Sequence, residues 1–66
     1  MKIQLNGEPR ELPEGCTAQQ LVSDMGLSGR RLAMEVNREI VPRSEYAAHV
    51  LHDGDQVEIV HAIGGG

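Results

Sequence analysis

The chain ends in Gly64-Gly65-Gly66, and the group in this sequence best suited to chemistry is the α-carboxylate of Gly66. This carboxylate is an anion at neutral pH. It is a poor acyl electrophile, because nucleophilic attack would add charge to oxygens that already carry it. Joining it to AMP would remove that obstacle and supply a leaving group. A sulfur nucleophile could then form a C-terminal thiocarboxylate, with glycine offering the least steric hindrance to the attack.

The residues that precede this carboxylate are suited to carrying it into a partner. Over residues 62–66 the extended chain reaches up to ~17 Å, and after Ile63 it has no side chains to obstruct a narrow channel. Its backbone groups can also pair with a partner as an added strand. We therefore predict a flexible, extended tail over residues 62–66 in which Ile63, Gly64 and Gly65 bind the partner. Taken alone, three glycines are equally typical of a frayed terminus.

Cysteine and histidine offer weaker alternatives. Cys16 is the single cysteine of the chain, so an internal disulfide is excluded. It precedes a predicted helix start, where a thiol becomes more acidic, but we interpret it as a partly buried small residue. His49 and His52 could share a helix face as metal ligands, yet no third ligand lies nearby in sequence, and we predict no metal site. We expect His61 to be a packed or rim residue of the last strand.

Length and charge restrict the class of protein. The 66 residues suffice for one small domain. They are too few to enclose a pocket of about 300 Å³, so we expect a partner or cosubstrate rather than an enzyme, with no bound cofactor. The net charge of −4 and the single basic pair, Arg30-Arg31, argue against nucleic acid as a partner. Since there is neither an apolar leader nor a run of about 18 apolar residues, we expect a cytoplasmic protein that does not enter membranes.

The beginning of the chain predicts a hairpin. Ile3 and Leu5 alternate with polar residues, as in a half-buried strand. Asn6-Gly7 is the strongest two-residue hairpin signal, because a type I′ turn needs positive φ at both central positions. The return strand, Glu8 to Leu12, contains Pro9 and should lie at a sheet edge, since proline cannot donate to the ladder.

A capping box predicts where the helix begins. Thr17 is the expected N-cap, and Gln20 is its partner three residues later. Gly26 suits the left-handed position after the helix, and Leu27 can make the apolar contact that accompanies it. The face expected to pack on a sheet has helical spacing and consists of Ala18, Leu21, Val22 and Met25.

The second half of the chain predicts strands joined by short turns. In order, these are a strand at Leu32 to Val36, a turn at Asn37-Arg38-Glu39, a short strand at Ile40-Val41, one helical turn capped by Ser44 and running through Ala48, a turn at Asp53-Gly54-Asp55 and a last strand at Gln56 to Ala62. The last strand carries Val57, Ile59 and His61 on one face and Val60 and Ala62 on the other. Apolar residues on both faces favour a central position in the sheet.

This element order predicts a two-layer α+β domain over residues 1–66. One amphipathic helix would pack on one face of a mixed sheet of four to five strands. A central last strand beside the first strand is the arrangement of ubiquitin-like, β-grasp proteins. Acidic residues and exposed apolar residues on the uncovered sheet face would then help a partner to dock.

Together, these residues resemble the ThiS family of bacterial sulfur carriers for thiamine biosynthesis, over essentially the whole chain. The most distinctive stretch is V-N-x-x-I-V-P-R at residues 36–43. It is accompanied by Asn6-Gly7 after the first strand, Thr17 at the helix start and the glycine terminus. The family motif ends in two glycines and this chain in three, so Gly65 would take the reactive role if processing removed one residue.

The resemblance implies a protein-sized cosubstrate that is not itself an enzyme. An ATP-dependent activating enzyme of the ThiF type would adenylate Gly66, and a persulfide would supply sulfur. The resulting thiocarboxylate would donate its sulfur to thiazole synthase during formation of the thiamine thiazole. ATP would be consumed by the activating enzyme and not bound by the carrier.

Three other functions remain open on the sequence. A molybdopterin-synthase small subunit uses the same chemistry on a related fold, although such chains are usually longer and richer in aromatic residues. A ubiquitin-like modifier would form isopeptide bonds through the tail. A non-covalent binding module of the β-grasp kind would not need the tail.

Overall fold

The computed structural model describes residues 1–61, so the predicted tail, with Ile63, Gly64, Gly65 and Gly66, lies outside the described residues. The elements are β1 (Lys2–Leu5), β2 (Glu8–Glu11), α1 (Ala18–Asp24), β3 (Leu32–Val36), β4 (Glu39–Val41), a 3₁₀ helix (Arg43–Glu45) and β5 (Gln56–His61). Within residues 1–61 five strands form one sheet in the order β2-β1-β5-β3-β4. The β1–β5 pair is parallel and the other pairs are antiparallel. This is the predicted mixed sheet of a β-grasp fold, with the last strand in the centre.

Two hairpins of equal loop length place the outer strands. The first turn has φ of 51° at Asn6 and 83° at Gly7, which confirms the predicted type I′ geometry. The second turn has φ of 52° at Asn37 and 69° at Arg38, and Glu39 already belongs to β4. The sequence-based turn was therefore one residue too long, because Arg38 adopts a left-handed conformation that glycine would normally occupy.

The helix ends follow the predicted capping motifs. The Thr17 hydroxyl oxygen accepts from the Gln20 N–H at 3.2 Å, and the Gln20 side-chain oxygen accepts from the Thr17 N–H at 2.9 Å. At the other end Gly26 has φ of 73°, and the Leu27 N–H donates to the Val22 carbonyl at 3.0 Å. These are a capping box and a Schellman motif, which together satisfy backbone groups at both ends of a helix too short to be stable alone.

The core lies between α1 and one face of the sheet. The buried side chains within residues 1–61 are all apolar or aromatic: Ile3, Leu5, Leu12, Cys16, Ala18, Leu21, Val22, Leu27, Met34, Val36, Val41, Tyr46, Leu51, Val57 and Ile59. Cys16 is only 2% exposed, so it is fully buried and not partly buried as predicted. Met25, predicted on the packing face, is the C-cap and is half-buried at the core's edge.

The central position predicted for β5 is confirmed, although Val60 is 71% exposed and only one face of the strand is buried. Two predictions for the residues after β4 need correction. The 3₁₀ helix has Pro42 as its N-cap with no side-chain hydrogen bond, and Ser44 lies inside it. Proline supplies an extended residue before the turn, which leaves no capping position for Ser44. His49 and His52 follow this helix and share no helix face.

No helix within residues 1–61 is long and apolar enough to cross a membrane.

Candidate functional site: the end of the central strand

The end of β5 is the place where the described chain leads towards residues 62–66. The strand pairs with β3 up to the register position of His61 opposite Leu32. On its other side the pairing with β1 ends earlier, at Leu5 opposite Val57. The last residues of β5 are therefore flanked by a strand on one side and by the β1–β2 turn on the other.

The side chain of Asn6 fills the place where β1 stops. The backbone N–H of Asn6 still donates to the Val57 carbonyl at 2.9 Å. Beyond it, the Ile59 N–H donates to Asn6 Oδ1 at 2.9 Å, and Asn6 Nδ2 donates to the Ile59 carbonyl at 3.3 Å. A primary amide carries the same donor and acceptor as a peptide group. It thus extends the hydrogen bonding of the sheet by one residue towards the tail.

A second asparagine holds the beginning of β5. The Gln56 N–H donates to Asn37 Oδ1 at 3.0 Å, and Asn37 Nδ2 donates to the Asp55 carboxylate at 3.0 Å. The other carboxylate oxygen of Asp55 accepts from the His52 N–H at 2.8 Å, and the neighbouring Asp53 carboxylate accepts from the Lys2 N–H at 2.7 Å. The predicted Asp-Gly-Asp turn is therefore a structural junction that starts the central strand.

The sheet face opposite α1 exposes an apolar patch beside the end of β5. Val60 and Ile40 are 71% and 69% exposed, and Ala33, which pairs with Val60, is also exposed. We call these three residues the open-face patch. On the same face Glu35 lies between its register partners Ile40 and Glu58, so an acidic pair adjoins the patch. Exposed apolar side chains beside charged ones are typical of a surface that a partner covers.

The distinctive stretch at residues 36–43 shapes this region and carries no reactive group. Val36 and Val41 are buried in the core, whereas Ile40 projects onto the open face. The guanidinium of Arg43 donates to the backbone carbonyl of Arg30, which ties the end of the stretch to the loop before β3. The stretch therefore forms the β3–β4 hairpin and places it beside β5.

Cys16 is not suited to nucleophilic chemistry in this fold. Burial raises the pKa of its thiol, the nearby negative charge of Asp24 raises the pKa further, and Arg10 lowers it in part. The Sγ donates to the Thr17 carbonyl at 3.6 Å. The thiol is therefore less acidic than a free cysteine, whereas the sequence had raised the possibility of a more acidic one near a helix N-terminus.

The described part of the chain offers little for a metal or a small molecule. No group of three or more His, Cys, Asp or Glu residues within residues 1–61 could hold a metal ion. A depression on the first hairpin has a volume of ≈ 240 Å³ and is lined by Leu5, Glu8, Pro9 and Arg10. Small-molecule sites usually start at about 300 Å³. His61, half-buried at the end of β5, has the rim position that was predicted.

We call the two hydrogen bonds between the Asn6 amide and the Ile59 backbone the Asn6 clamp. Neither this clamp nor the membership of the open-face patch was predicted from the sequence. Asn6 was assigned only to the turn, since local pattern does not show which strand lies beside it. The available signal was an asparagine, whose amide can replace a peptide group, at the end of a strand next to the predicted central strand. Ile40 and Val60 were recognisable as apolar, but their outward direction depends on the register.

Comparison with known proteins identifies the family. A model of the ThiS family matches residues 3–66. The sulfur carrier protein ThiS of Escherichia coli is 32% identical over 66 residues, with 100% of each chain covered. A thiazole synthase of Paramagnetospirillum magneticum and one of Magnetococcus marinus are each 46% identical over 66 residues. The chain spans 20% of the length of these two relatives.

The fold comparison agrees with the sequence comparison. The crystal structure of the thiamine biosynthesis protein ThiS from Geobacter metallireducens superposes with a TM-score of 0.83 at 29% identity, and 100% of each chain is covered. An NMR structure of a thiamine biosynthesis protein from the same organism gives a TM-score of 0.82. The chain therefore belongs to the ThiS family.

Proposed function

We propose that this chain is a sulfur carrier of thiamine biosynthesis whose working group is a C-terminal thiocarboxylate on Gly66. The observation that carries the proposal is the match of the ThiS family model to residues 3–66, a range that includes the glycine tail. Relatives of similar length are named sulfur carrier proteins, including one from Thermus thermophilus at 39% identity. The central strand β5 leads directly to this tail.

The proposed chemistry begins with ATP. The Gly66 carboxylate attacks the α-phosphorus of ATP on a ThiF-type enzyme, which forms an acyl adenylate and releases pyrophosphate. The terminal sulfur of a donor persulfide then attacks the acyl carbon and displaces AMP. A thiol cleaves the remaining S–S bond, and the chain retains the thiocarboxylate. In this scheme the chain is a cosubstrate, and the bond-making groups belong to its partners.

Thiazole synthase is the proposed acceptor of the sulfur. Two relatives are named thiazole synthase, and the region similar to this chain makes up about a fifth of their length. We infer that carrier and acceptor share one polypeptide in those proteins, which keeps the carrier at a high effective concentration beside the acceptor. In the present protein the same pairing would occur between separate partners or within a longer chain.

The open-face patch is the proposed docking surface for the activating enzyme. Val60 lies on the strand that leads to the tail, so an enzyme that holds the tail in a channel can also cover Val60 and Ile40. Glu35 and Glu58 on the same face, and a net charge of −4, favour a partner surface that carries both apolar and basic side chains.

Intact-mass measurement tests the proposal. The protein is mixed with ATP, a ThiF-type enzyme and a persulfide donor, and we expect a mass gain equal to replacement of one oxygen by sulfur, located at Gly66. A variant lacking Gly65 and Gly66 should show no gain, while its far-UV circular dichroism matches that of the full chain. Absence of both adenylate and sulfur exchange in the full chain would refute the proposal.

Complementation separates the remaining functions. Rescue of a thiamine auxotroph by this chain is the expected result. Rescue of a molybdoenzyme defect instead would favour a molybdopterin-synthase subunit. Covalent ladders in cell extracts would indicate a protein modifier, and full activity without the tail would indicate a non-covalent binding module.

A further inference from the structure

We propose that Asn6 is a positioning residue for the carrier reaction, because its side-chain amide sets the direction in which β5 delivers residues 62–66 to a partner enzyme. The inference rests on the proposed function, since it assigns a role in presenting the tail. Asn6 touches no reacting atom in this proposal and acts only through the backbone of Ile59.

The strands on either side of β5 pair with it over unequal lengths. The register with β3 continues to His61, whereas the register with β1 ends at Val57. Beyond Val57 the strand is therefore paired along one edge, and a strand held along one edge can swing about that edge. A second attachment on the opposite edge restricts this motion.

The side-chain amide of Asn6 provides this second attachment. The Asn6 amide binds both the N–H and the carbonyl of the same residue, Ile59, at 2.9 and 3.3 Å. Two bonds to one residue restrict its rotation about the strand axis as well as its distance from β1. A single bond would restrict the distance alone.

Ile59 lies where β5 changes from buried to exposed residues. Its side chain is 5% exposed, and it is the last buried residue of β5 within the described chain. Val60, which follows, is on the open face and is 71% exposed. The end of β5 is therefore held on one edge by its pairing with β3 up to His61, and on the other edge by the Asn6 amide at Ile59, whose side chain is packed in the core.

Asn37 provides a matched control. It occupies the same position in a turn of the same length, has φ of 52° against 51° for Asn6, and also binds β5 through its amide. Its partner Gln56 is at the start of the strand, about 10 Å from Ile59 at ~3.3 Å per residue. Any effect of a clamp on strand stability should appear at both asparagines, whereas an effect on presentation of the tail should appear only at Asn6.

The experiment compares the variants Asn6→Gly and Asn37→Gly. Glycine supports a type I′ turn at either place and removes only the amide. Amide hydrogen exchange should accelerate about tenfold at Ile59 in the first variant and at Gln56 in the second. The kcat/KM for thiocarboxylate formation should fall about tenfold in Asn6→Gly, mainly through a higher KM, because binding must then order the tail. In Asn37→Gly it should change by less than about twofold.

A carboxylate variant and the wild type make the outcome decisive. Asn6→Asp keeps an oxygen that accepts from the Ile59 N–H but turns its second carboxylate oxygen towards the Ile59 carbonyl, where two acceptors repel each other, so its kcat/KM should fall at least as far as that of Asn6→Gly. Equal kcat/KM values for Asn6→Gly and Asn37→Gly, with the wild type active, would overturn the positioning role and leave the proposed function intact. An inactive wild type would overturn the proposed function and the positioning role together.

Discussion

Two turns hold the two ends of the central strand in nearly the same way. Asn6-Gly7 and Asn37-Arg38 are both two-residue turns with positive φ at both positions. In each, the asparagine amide accepts a hydrogen bond from a backbone N–H of β5. They differ in location, because Asn6 acts where the strand approaches the tail and Asn37 acts where the strand begins.

The second bond of each amide differs as well. Asn6 donates to the backbone carbonyl of Ile59, so its clamp is purely a continuation of the sheet. Asn37 donates to the Asp55 carboxylate, which is in turn bound to the His52 N–H. The Asn6-Gly7 turn therefore supports the end of β5, and the Asn37-Arg38 turn belongs to the polar network at its beginning. Similar local chemistry thus acquires a different role according to its place on β5.

The largest loss of stability should come from truncating Ile59, the residue whose backbone Asn6 binds. Ile59 is 5% exposed, whereas its neighbour Val60 is 71% exposed. Ile59→Ala should lower the free energy of unfolding by about 2–5 kcal/mol, through lost burial and a cavity. Val60→Ala should change it by less than about 0.5 kcal/mol. Urea unfolding measures both, and similar losses would show that the hydrogen bonds, and not the side chain, fix this end of the strand.

Removing the side-chain amide of Asn6 or of Asn37 should lower the free energy of unfolding by similar and additive amounts. Asn6→Gly and Asn37→Gly each remove two side-chain hydrogen bonds. Each should lower the free energy of unfolding by about 1–2 kcal/mol. Because the amides share no partner, the double variant should be additive within about 0.5 kcal/mol. A coupling well above that value in a double-mutant cycle would mean that the two ends of β5 do not act independently.

Replacing glycine at the second position of the first turn should destabilise the fold, and introducing glycine at the same position of the second turn should stabilise it. No heavy atom lies within 4 Å of a Cβ placed on Gly7, so Gly7→Ala is penalised by its φ of 83° alone. We expect a loss of about 1–2 kcal/mol. Arg38→Gly relieves the same strain and adds freedom to the unfolded chain, for a net gain of about 0.5 kcal/mol. Thermal unfolding would measure both, and destabilisation by Arg38→Gly would reveal a stabilising contact of the arginine side chain.

The smallest expected effect is on the pH dependence of stability, and it comes from two buried groups that belong to neither turn. Burial raises the pKa of the Cys16 thiol and of the Tyr46 hydroxyl. The folded chain therefore keeps these protons at a pH at which the unfolded chain has begun to lose them. The resulting stability is complete below the unfolded thiol pKa of about 8.5. It declines as the pH rises from there through the folded pKa.

Urea unfolding at several pH values checks this expectation. Cys16→Ala should show a shallower decline between about pH 8 and 10 than the wild type. Asn6→Gly should show the wild-type slope, because neither the amide nor the Ile59 backbone titrates. A wild-type slope in Cys16→Ala would contradict the assignment of the alkaline decline to the buried thiol.

Local patterns were sufficient for most of the elements. The Asn6-Gly7 turn and the Thr17–Gln20 capping box depend on interactions between residues three or fewer apart, and both are confirmed. The error at Ser44 arose where two local signals competed, and Pro42 became the N-cap. Val60 contributed to the prediction of a central strand, which is confirmed, but its exposure depends on what packs against that face, and no local pattern shows this.

The candidate site likewise combines a feature predicted from local sequence with one that depends on a long-range contact. The glycine tail and its carboxylate chemistry follow from residue types alone, and they stay a prediction because residues 62–66 lie outside the described structure. The clamp on β5 joins Asn6 to Ile59, which are 53 positions apart in the chain. Such a contact forms only after the sheet has assembled, so no pattern around either residue reveals it.

Short-range sequence thus determines turns and helix caps, because those depend on backbone preferences and capping groups that need no distant neighbour. Tertiary structure decides which of two similar asparagines stands at the exit of the central strand. It also decides that Ile40 and Val60 face outwards while Ile59 is buried. The physical reason is that strand order and register are set by long-range pairing, and a shift of one residue would reverse the face of every side chain on β5.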